Sequence, residues 1–88
     1  MFENLFKKAE SKVSISQVMD LLEGYNNKVV KGSIYVKEKY NIKGQEMGRL
    51  IIEPNTQETV KVVDGWGSLI TTINLNELRP FLREIFTG

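Results

Sequence analysis

Residues 28–43 of the chain read KVVKGSIYVKEKYNIK, and this stretch decides the predicted fold. Its apolar side chains fall mainly at even-numbered positions, and its polar side chains fall mainly at odd-numbered positions. Successive side chains of a β-strand point to opposite faces, so this alternation predicts strand structure with one face exposed to water. Gly32 interrupts the pattern, and an isolated glycine within a strand indicates a β-bulge. Gly44 and Gly48 then bracket a connection.

Strand signals continue beyond this stretch. The β-rich runs 49–53 and 58–63 flank the sequence PNTQ, whose residues favour turns, so the two runs predict a β-hairpin. The sequence DGWG at 64–67 indicates a second turn. Residues 68–73 are rich in β-branched side chains and predict a final strand. We therefore expect an antiparallel meander of three to four strands.

Helical patterns precede the predicted sheet. Residues 2–11 and residues 15–23 each repeat apolar side chains at intervals of three to four positions, as one face of an amphipathic helix does. Ser14 and Gln17 have the spacing of a capping box, which indicates that the second helix begins beside them. Gly24 indicates the end of this helix, because glycine tolerates the left-handed conformation that ends helices.

A third helix is predicted at the C-terminus. Pro80 places its start near residues 76–79, because proline is tolerated in the first turn of a helix. The 88 residues suffice for one hydrophobic core, so we expect a single domain over 1–88. The predicted fold class is α+β, with two N-terminal helices, an antiparallel meander of three to four strands and a C-terminal helix packed on the sheet.

A second interpretation of residues 34–51 is a helix-turn-helix unit followed by a β wing. The stretch resembles such a unit in the spacing of its apolar residues, which are Val36, Tyr40, Ile42, Met47 and Leu50. Gly44 and Gly48 would then lie inside the recognition helix, each costing about 1 kcal/mol relative to alanine. The winged helix is therefore the alternative fold, and strands are the prediction.

Composition narrows the possible chemistry. The chain has no cysteine and no histidine, and its 12 basic and 11 acidic residues give a net charge of +1. Without cysteine there is no disulfide, thiolate nucleophile or cysteine zinc site. Without histidine the usual general base and the commonest transition-metal ligand are missing. We therefore predict a protein that is not an enzyme and that uses no cofactor or metal.

The N-terminal sequence MFENLFKKAES has charged residues among its apolar ones and lacks the continuous apolar run of a signal peptide. No segment approaches the roughly 18 apolar residues of a membrane span. We therefore expect a cytoplasmic protein with no membrane partner.

Aromatic side chains are the candidate partner-binding residues. Trp66, the single tryptophan, lies between two glycines in a turn, and large rigid side chains are typical of binding hot spots. Tyr35 falls on the polar side of its strand, and Phe81 and Phe86 supply apolar surface on the C-terminal helix. We predict a small interaction module, a regulator or inhibitor that binds another protein and self-associates through the C-terminal helix or an edge strand. The small size and plain composition are typical of regulators that mobile elements carry.

A nucleic-acid partner is the alternative. Residues 28–49 hold six basic and two acidic side chains, a local net charge of +4. Lysine and arginine bind phosphates, and Tyr35 on the same segment could stack on bases. The candidate residues for this role are Lys31, Lys37, Lys39, Lys43 and Arg49.

Overall fold

The structure is a computed structural model that describes residues 12–86. Within these residues two α-helices flank seven β-strands, and a short 3-10 helix leads into the second α-helix. The elements are α1 (Ile15–Leu21), β1 (Asn27–Val30), β2 (Ser33–Val36), β3 (Tyr40–Ile42), β4 (Gln45–Met47), β5 (Leu50–Pro54), β6 (Thr59–Asp64), β7 (Leu69–Asn74), the 3-10 helix (Leu75–Glu77) and α2 (Leu78–Phe86).

The strands form two antiparallel sheets. The larger sheet has five strands in the order β1-β2-β5-β6-β7, and the smaller sheet is the hairpin β3–β4. Strands β2 and β5 are neighbours in the large sheet, so the hairpin is an insertion between two paired strands. Neither helix among residues 12–86 has the length and apolar character needed to cross a membrane.

The predicted fold class is wrong. The described residues contain seven strands in two sheets rather than a meander of three to four strands, and they contain one helix before the strands rather than two. The predicted helix over 2–11 lies outside the described residues. The winged-helix alternative is also wrong, because residues 34–51 form strands β2, β3 and β4 and the start of β5.

Two lysine–glycine turns explain the extra strands. Lys31 and Gly32 have φ of 48° and 81°, and Lys43 and Gly44 have φ of 53° and 79°. Each pair connects strands whose adjacent residues are directly paired, Val30 with Ser33 and Ile42 with Gln45. Positive φ at both central residues defines the type I′ turn, which matches the right-handed twist of a hairpin. Gly32 is therefore part of a hairpin turn rather than a bulge, and Gly44 forms a second one.

Replacing Gly32 with alanine is expected to lower the free energy of unfolding by about 1 kcal/mol. The space around Gly32 is open, so the cost comes from the positive φ alone. Gly48→Ala is the matched control, because Gly48 also has open space and its φ is not positive. Urea denaturation measures both variants. Equal losses for the two would contradict the turn at Gly32.

One face of the large sheet forms the hydrophobic core with both helices. Six side chains from β2, β5 and β6 point to this inner face and are fully buried, namely Ile34, Val36, Leu50, Ile52, Val60 and Val62. Val18 and Leu22 from the region of α1 and Leu78 and Leu82 from α2 belong to the same cluster. The opposite, outer face of the sheet contributes nothing to this cluster.

The local helix signals are confirmed. The Ser14 hydroxyl accepts from the backbone N–H of Gln17 (3.2 Å), and the Gln17 side chain accepts from the N–H of Ser14 (3.1 Å). Helix α1 begins at Ile15 as predicted and ends at Leu21, two residues before the predicted end. Helix α2 begins at Leu78, within the predicted window. The polar contacts at α1 follow from sequence because a capping box involves only four consecutive residues.

Candidate functional site

A row of apolar side chains crosses the outer face of the large sheet. Tyr35 pairs directly with Ile51, Ile51 with Val63, and Val63 with Leu69. Directly paired residues of antiparallel strands have their side chains on the same face, close together. These four residues, which we call the outer row, therefore form a continuous strip over four strands. Lys28 pairs with Tyr35 and ends the strip at the edge strand β1.

The outer row is accessible to a partner. Leu69 is 58% exposed, Tyr35 and Ile51 are partly exposed, and Val63 between them is buried, with 8% of its surface exposed. None of its members belongs to the core cluster or packs against it. An exposed apolar strip on a sheet is a typical site of protein association, because covering it removes apolar surface from water.

A β-bulge places Leu69 in this row. Val62 pairs with Thr71 and Val63 pairs with Leu69, so Ile70 is an extra residue between two pairs. The bulge shifts the alternation of β7 by one position. Ile70 packs against the core, and Leu69 faces outward beside Val63.

Charged side chains lie on both sides of the outer row. Glu53 follows Ile51 by two positions along β5 and shares its outer face. Arg49 immediately precedes β5 and lies on the same side, as its contact with Tyr35 shows. The guanidinium carbon of Arg49 lies 6.0 Å from the centre of the Tyr35 ring, which is a cation–π contact. Glu53 pairs with Lys61 on β6. The strip is therefore bordered by a cation at one side and by both signs of charge at the other.

The turn after β6 presents Trp66 at the end of the sheet. A carboxylate oxygen of Asp64 accepts from the backbone N–H of Trp66 (2.8 Å) and from that of Ser68 (2.9 Å). Asp64 itself is buried, whereas the Trp66 side chain is 78% exposed. Asparagine and aspartate commonly fix turns in this way. Two hydrogen bonds thus fix the backbone of the turn, and the indole has most of its surface in water.

Trp66 and Arg49 border a shallow groove of about 250 Å³. Met47, Gly48 and Gly65 complete its lining. A side chain at Gly65 would place a Cβ 3.2 Å from the Cβ of Arg49, so glycine there allows Arg49 to lie close to the turn.

Tyr40 connects the β3–β4 hairpin to Arg49 and to helix α2. Its hydroxyl donates to the backbone carbonyl of Arg49 (2.7 Å), and its ring meets Phe86 of α2 edge-on, with 5.5 Å between ring centres. Burial, and then the negative charge of Asp64, raises the pKa of Tyr40 to about 12. The phenol therefore stays protonated and keeps its hydrogen bond at neutral pH.

The structure brings three predicted site residues together on the outer side. They are Tyr35 from β2, Arg49 immediately before β5 and Trp66 from the turn after β6. Phe81 and Phe86 lie on the opposite side, where both are partly buried against the core. Phe86 packs on the ring of Tyr25, with 4.9 Å between ring centres, as well as on that of Tyr40.

The predicted basic residues do not form one cluster. Lys31 and Lys43 occupy the two hairpin turns, which belong to different sheets. Lys39 lies 3.9 Å from Glu46 in an exposed ion pair. Lys37 is exposed beyond the end of β2. Arg49 is the candidate of this set that contacts Tyr35.

Sequence reasoning did not identify Ile51, Val63 and Leu69 as residues of the outer face. A signal for the first two was available, since the runs LII at 50–52 and VV at 62–63 place apolar side chains on both faces of a strand. A continuous apolar run indicates that both faces are available for burial. Leu69 had no such signal, because the bulge decides its direction.

Residues 12–86 contain no cluster of three or more acidic, histidine or cysteine side chains that could hold a metal ion. No protein-family model, curated protein or solved structure matches the chain.

Proposed function

We propose that the protein is a non-enzymatic interaction module that binds another protein through the outer face of its large sheet. The observation that carries the proposal is the outer row, an apolar strip that is exposed at Tyr35, Ile51 and Leu69, together with the exposed Trp66 on the turn after β6. Tryptophan on a rigid turn provides a large contact area at low cost in conformational entropy. The proposal includes action as a regulator or inhibitor and a cytoplasmic location.

The surface defines the chemistry of the partner. The partner should present an apolar strip or groove to the outer row. Contact between two apolar surfaces removes both from water, and this makes binding more favourable. Arg49 on one side and Glu53 with Lys61 on the other favour a partner with both signs of charge at matching positions.

The test compares a surface variant with a matched control. Trp66→Ala combined with Leu69→Ser removes the two most exposed apolar side chains of the region. Met19→Ala is the control, because Met19 is a 39% exposed apolar residue on α1. A partner isolated with the wild-type protein is expected to bind the surface variant at least tenfold more weakly and the control equally well. Equal affinity of the surface variant and wild type for every partner would contradict the proposal.

Single-stranded nucleic acid is the second candidate partner, favoured by the contact of Arg49 with the Tyr35 ring and the pairing of Tyr35 with Lys28. Basic side chains around an aromatic ring on a sheet are typical of a stacking platform. Fluorescence anisotropy of labelled DNA and RNA oligonucleotides at about 50 mM and about 200 mM salt tests it. Binding that weakens with salt and is lost in Tyr35→Ala would support this candidate, and unchanged anisotropy at low salt would remove it.

A further inference from the structure

We infer that the partner of the outer face is a second copy of this chain, packed face to face with strand β5 of each copy antiparallel to the other. The inference rests on the proposed function and names its partner. It starts from the order of side chains on the outer side of β5 and of the residue before it. Ile51 and Glu53 lie on the outer face of the strand, and Arg49, which immediately precedes β5, lies on the same side because its guanidinium is over the ring of Tyr35. This order is a cation, an apolar residue and an anion at equal spacing.

Equal spacing makes the pattern complementary to itself. Side chains two positions apart on a strand are separated by about 7 Å, which places Glu53 on one side of Ile51. Arg49 precedes Ile51 by two residues, so extended chain at the start of the strand places it at a similar distance on the other side. A half-turn about an axis that runs along the outer row places Ile51 on Ile51 of the second copy. The same half-turn places Arg49 of each copy opposite Glu53 of the other, which gives two equivalent ion pairs.

The rest of the outer face fits the same axis. The outer row lies on the axis, so Tyr35, Val63 and Leu69 each face their own equivalents and the apolar strip is covered along its length. On β6, Lys61 and the turn that carries Trp66 lie on opposite sides of Val63. The half-turn therefore brings Lys61 of one copy toward Trp66 of the other, where a cation–π contact is favourable.

The competing two-fold axis is unfavourable. An axis parallel to the strands would place Arg49 against Arg49 and Glu53 against Glu53, and like charges across an interface are repulsive. Neither side chain forms an ion pair with another residue of the described part of the chain. Arg49 contacts the ring of Tyr35, and a guanidinium that stacks on a ring can still donate hydrogen bonds in its own plane to a carboxylate. Packed sheets are about 10 Å apart, a gap that an arginine and a glutamate together can bridge.

Charge reversal tests the arrangement. Arg49→Glu and Glu53→Arg each create like charges at both contacts, so each single variant is expected to dimerise at least tenfold more weakly than wild type in sedimentation experiments. An equimolar mixture of the two single variants restores opposite charges and is expected to form a heterodimer. The double variant, with both reversals in one chain, is expected to regain the homodimer. Glu46→Lys is the control, because Glu46 lies in an exposed ion pair on the β3–β4 hairpin.

A crosslinking measurement supports the test if a charge variant fails to fold. The chain has no cysteine, so Ile51→Cys introduces a single thiol on the proposed axis. A short bis-maleimide is expected to join two copies of this variant, because the two thiols face each other across about 10 Å or less. Met19→Cys on α1 is the control and should not crosslink.

Failure of the inference can be distinguished from failure of the proposed function. The inference is overturned if the wild-type chain stays monomeric at about 1 mM. It is also overturned if Arg49→Glu and Glu53→Arg each dimerise with the same affinity as wild type. In that case a different protein that loses affinity for Trp66→Ala combined with Leu69→Ser still supports the proposed function. Salt-dependent binding of an oligonucleotide to a monomeric chain would favour the nucleic-acid candidate instead.

Discussion

Replacing Tyr40 with alanine is expected to lower the free energy of unfolding by about 4 kcal/mol, as truncation of a buried aromatic side chain does. The ring is 1% exposed and packs edge-on against Phe86. The same substitution removes the hydrogen bond to the carbonyl of Arg49. Both contacts hold the β3–β4 hairpin against the remainder of the fold, so the hairpin and the start of β5 should loosen together.

Tyr40→Phe separates the two contributions. It keeps the ring and removes the hydroxyl, so its expected loss is about 1 kcal/mol, the net value of one hydrogen bond. Asn41→Ala is the control, because Asn41 is the exposed neighbour of Tyr40 on β3. Urea denaturation followed by tryptophan fluorescence measures all three variants. A loss below about 1 kcal/mol for Tyr40→Ala would show that the hairpin does not depend on this side chain.

Replacing Asp64 with alanine is expected to lower the free energy of unfolding by about 2 kcal/mol, because two hydrogen bonds to one carboxylate oxygen are lost. These bonds come from the N–H groups of Trp66 and Ser68 and define the turn. The chain has one tryptophan, so its fluorescence anisotropy reports directly on the turn. We expect the anisotropy of the folded variant to fall as the indole gains freedom.

Asp64→Asn is the matched variant. Asparagine keeps a side-chain oxygen at the accepting position and loses the charge, so it should retain most of the stability and a wild-type anisotropy. If Asp64→Ala and Asp64→Asn had the same anisotropy as wild type, Trp66 would be held by something other than this carboxylate. The rigid presentation of Trp66 is a premise of the proposed function, so the result also bears on the interaction surface.

Sequence alone predicted the elements whose signals are local. The capping box at Ser14 and Gln17, the hairpin around PNTQ and the start of α2 before Pro80 all depend on residues a few positions apart. The sequence did not indicate the turns at Lys31 and Lys43. Lysine at positive φ is unusual, and the usual signal for a type I′ turn is asparagine or aspartate before glycine. The alternation of apolar residues continued across the first turn, so one strand region was predicted over 28–43 where β1, β2 and β3 form. Residues 44–48 were predicted to be a connection, although β4 lies there.

The candidate site was predicted in part. Trp66, Tyr35 and Arg49 were recognised as chemically suited to binding, and the structure places them on one side of the molecule. Phe81 and Phe86 were chosen by the same reasoning, yet they pack against the core. The sequence does not show which aromatic side chains are buried and which are exposed. Burial depends on which other strand or helix packs against them in the folded protein.

The amino-acid sequence by itself determined the helix starts and the PNTQ turn, the absence of histidine and cysteine chemistry, and the order of charge over residues 49–53. The tertiary structure decided which strands pair, and pairing brings Tyr35, Ile51, Val63 and Leu69 into one row although they lie far apart in the chain. It also decided, through one bulge, that Leu69 rather than Ile70 faces outward. The physical reason is that a sheet face is assembled by hydrogen bonds between distant segments, and one shift of register exchanges its two faces.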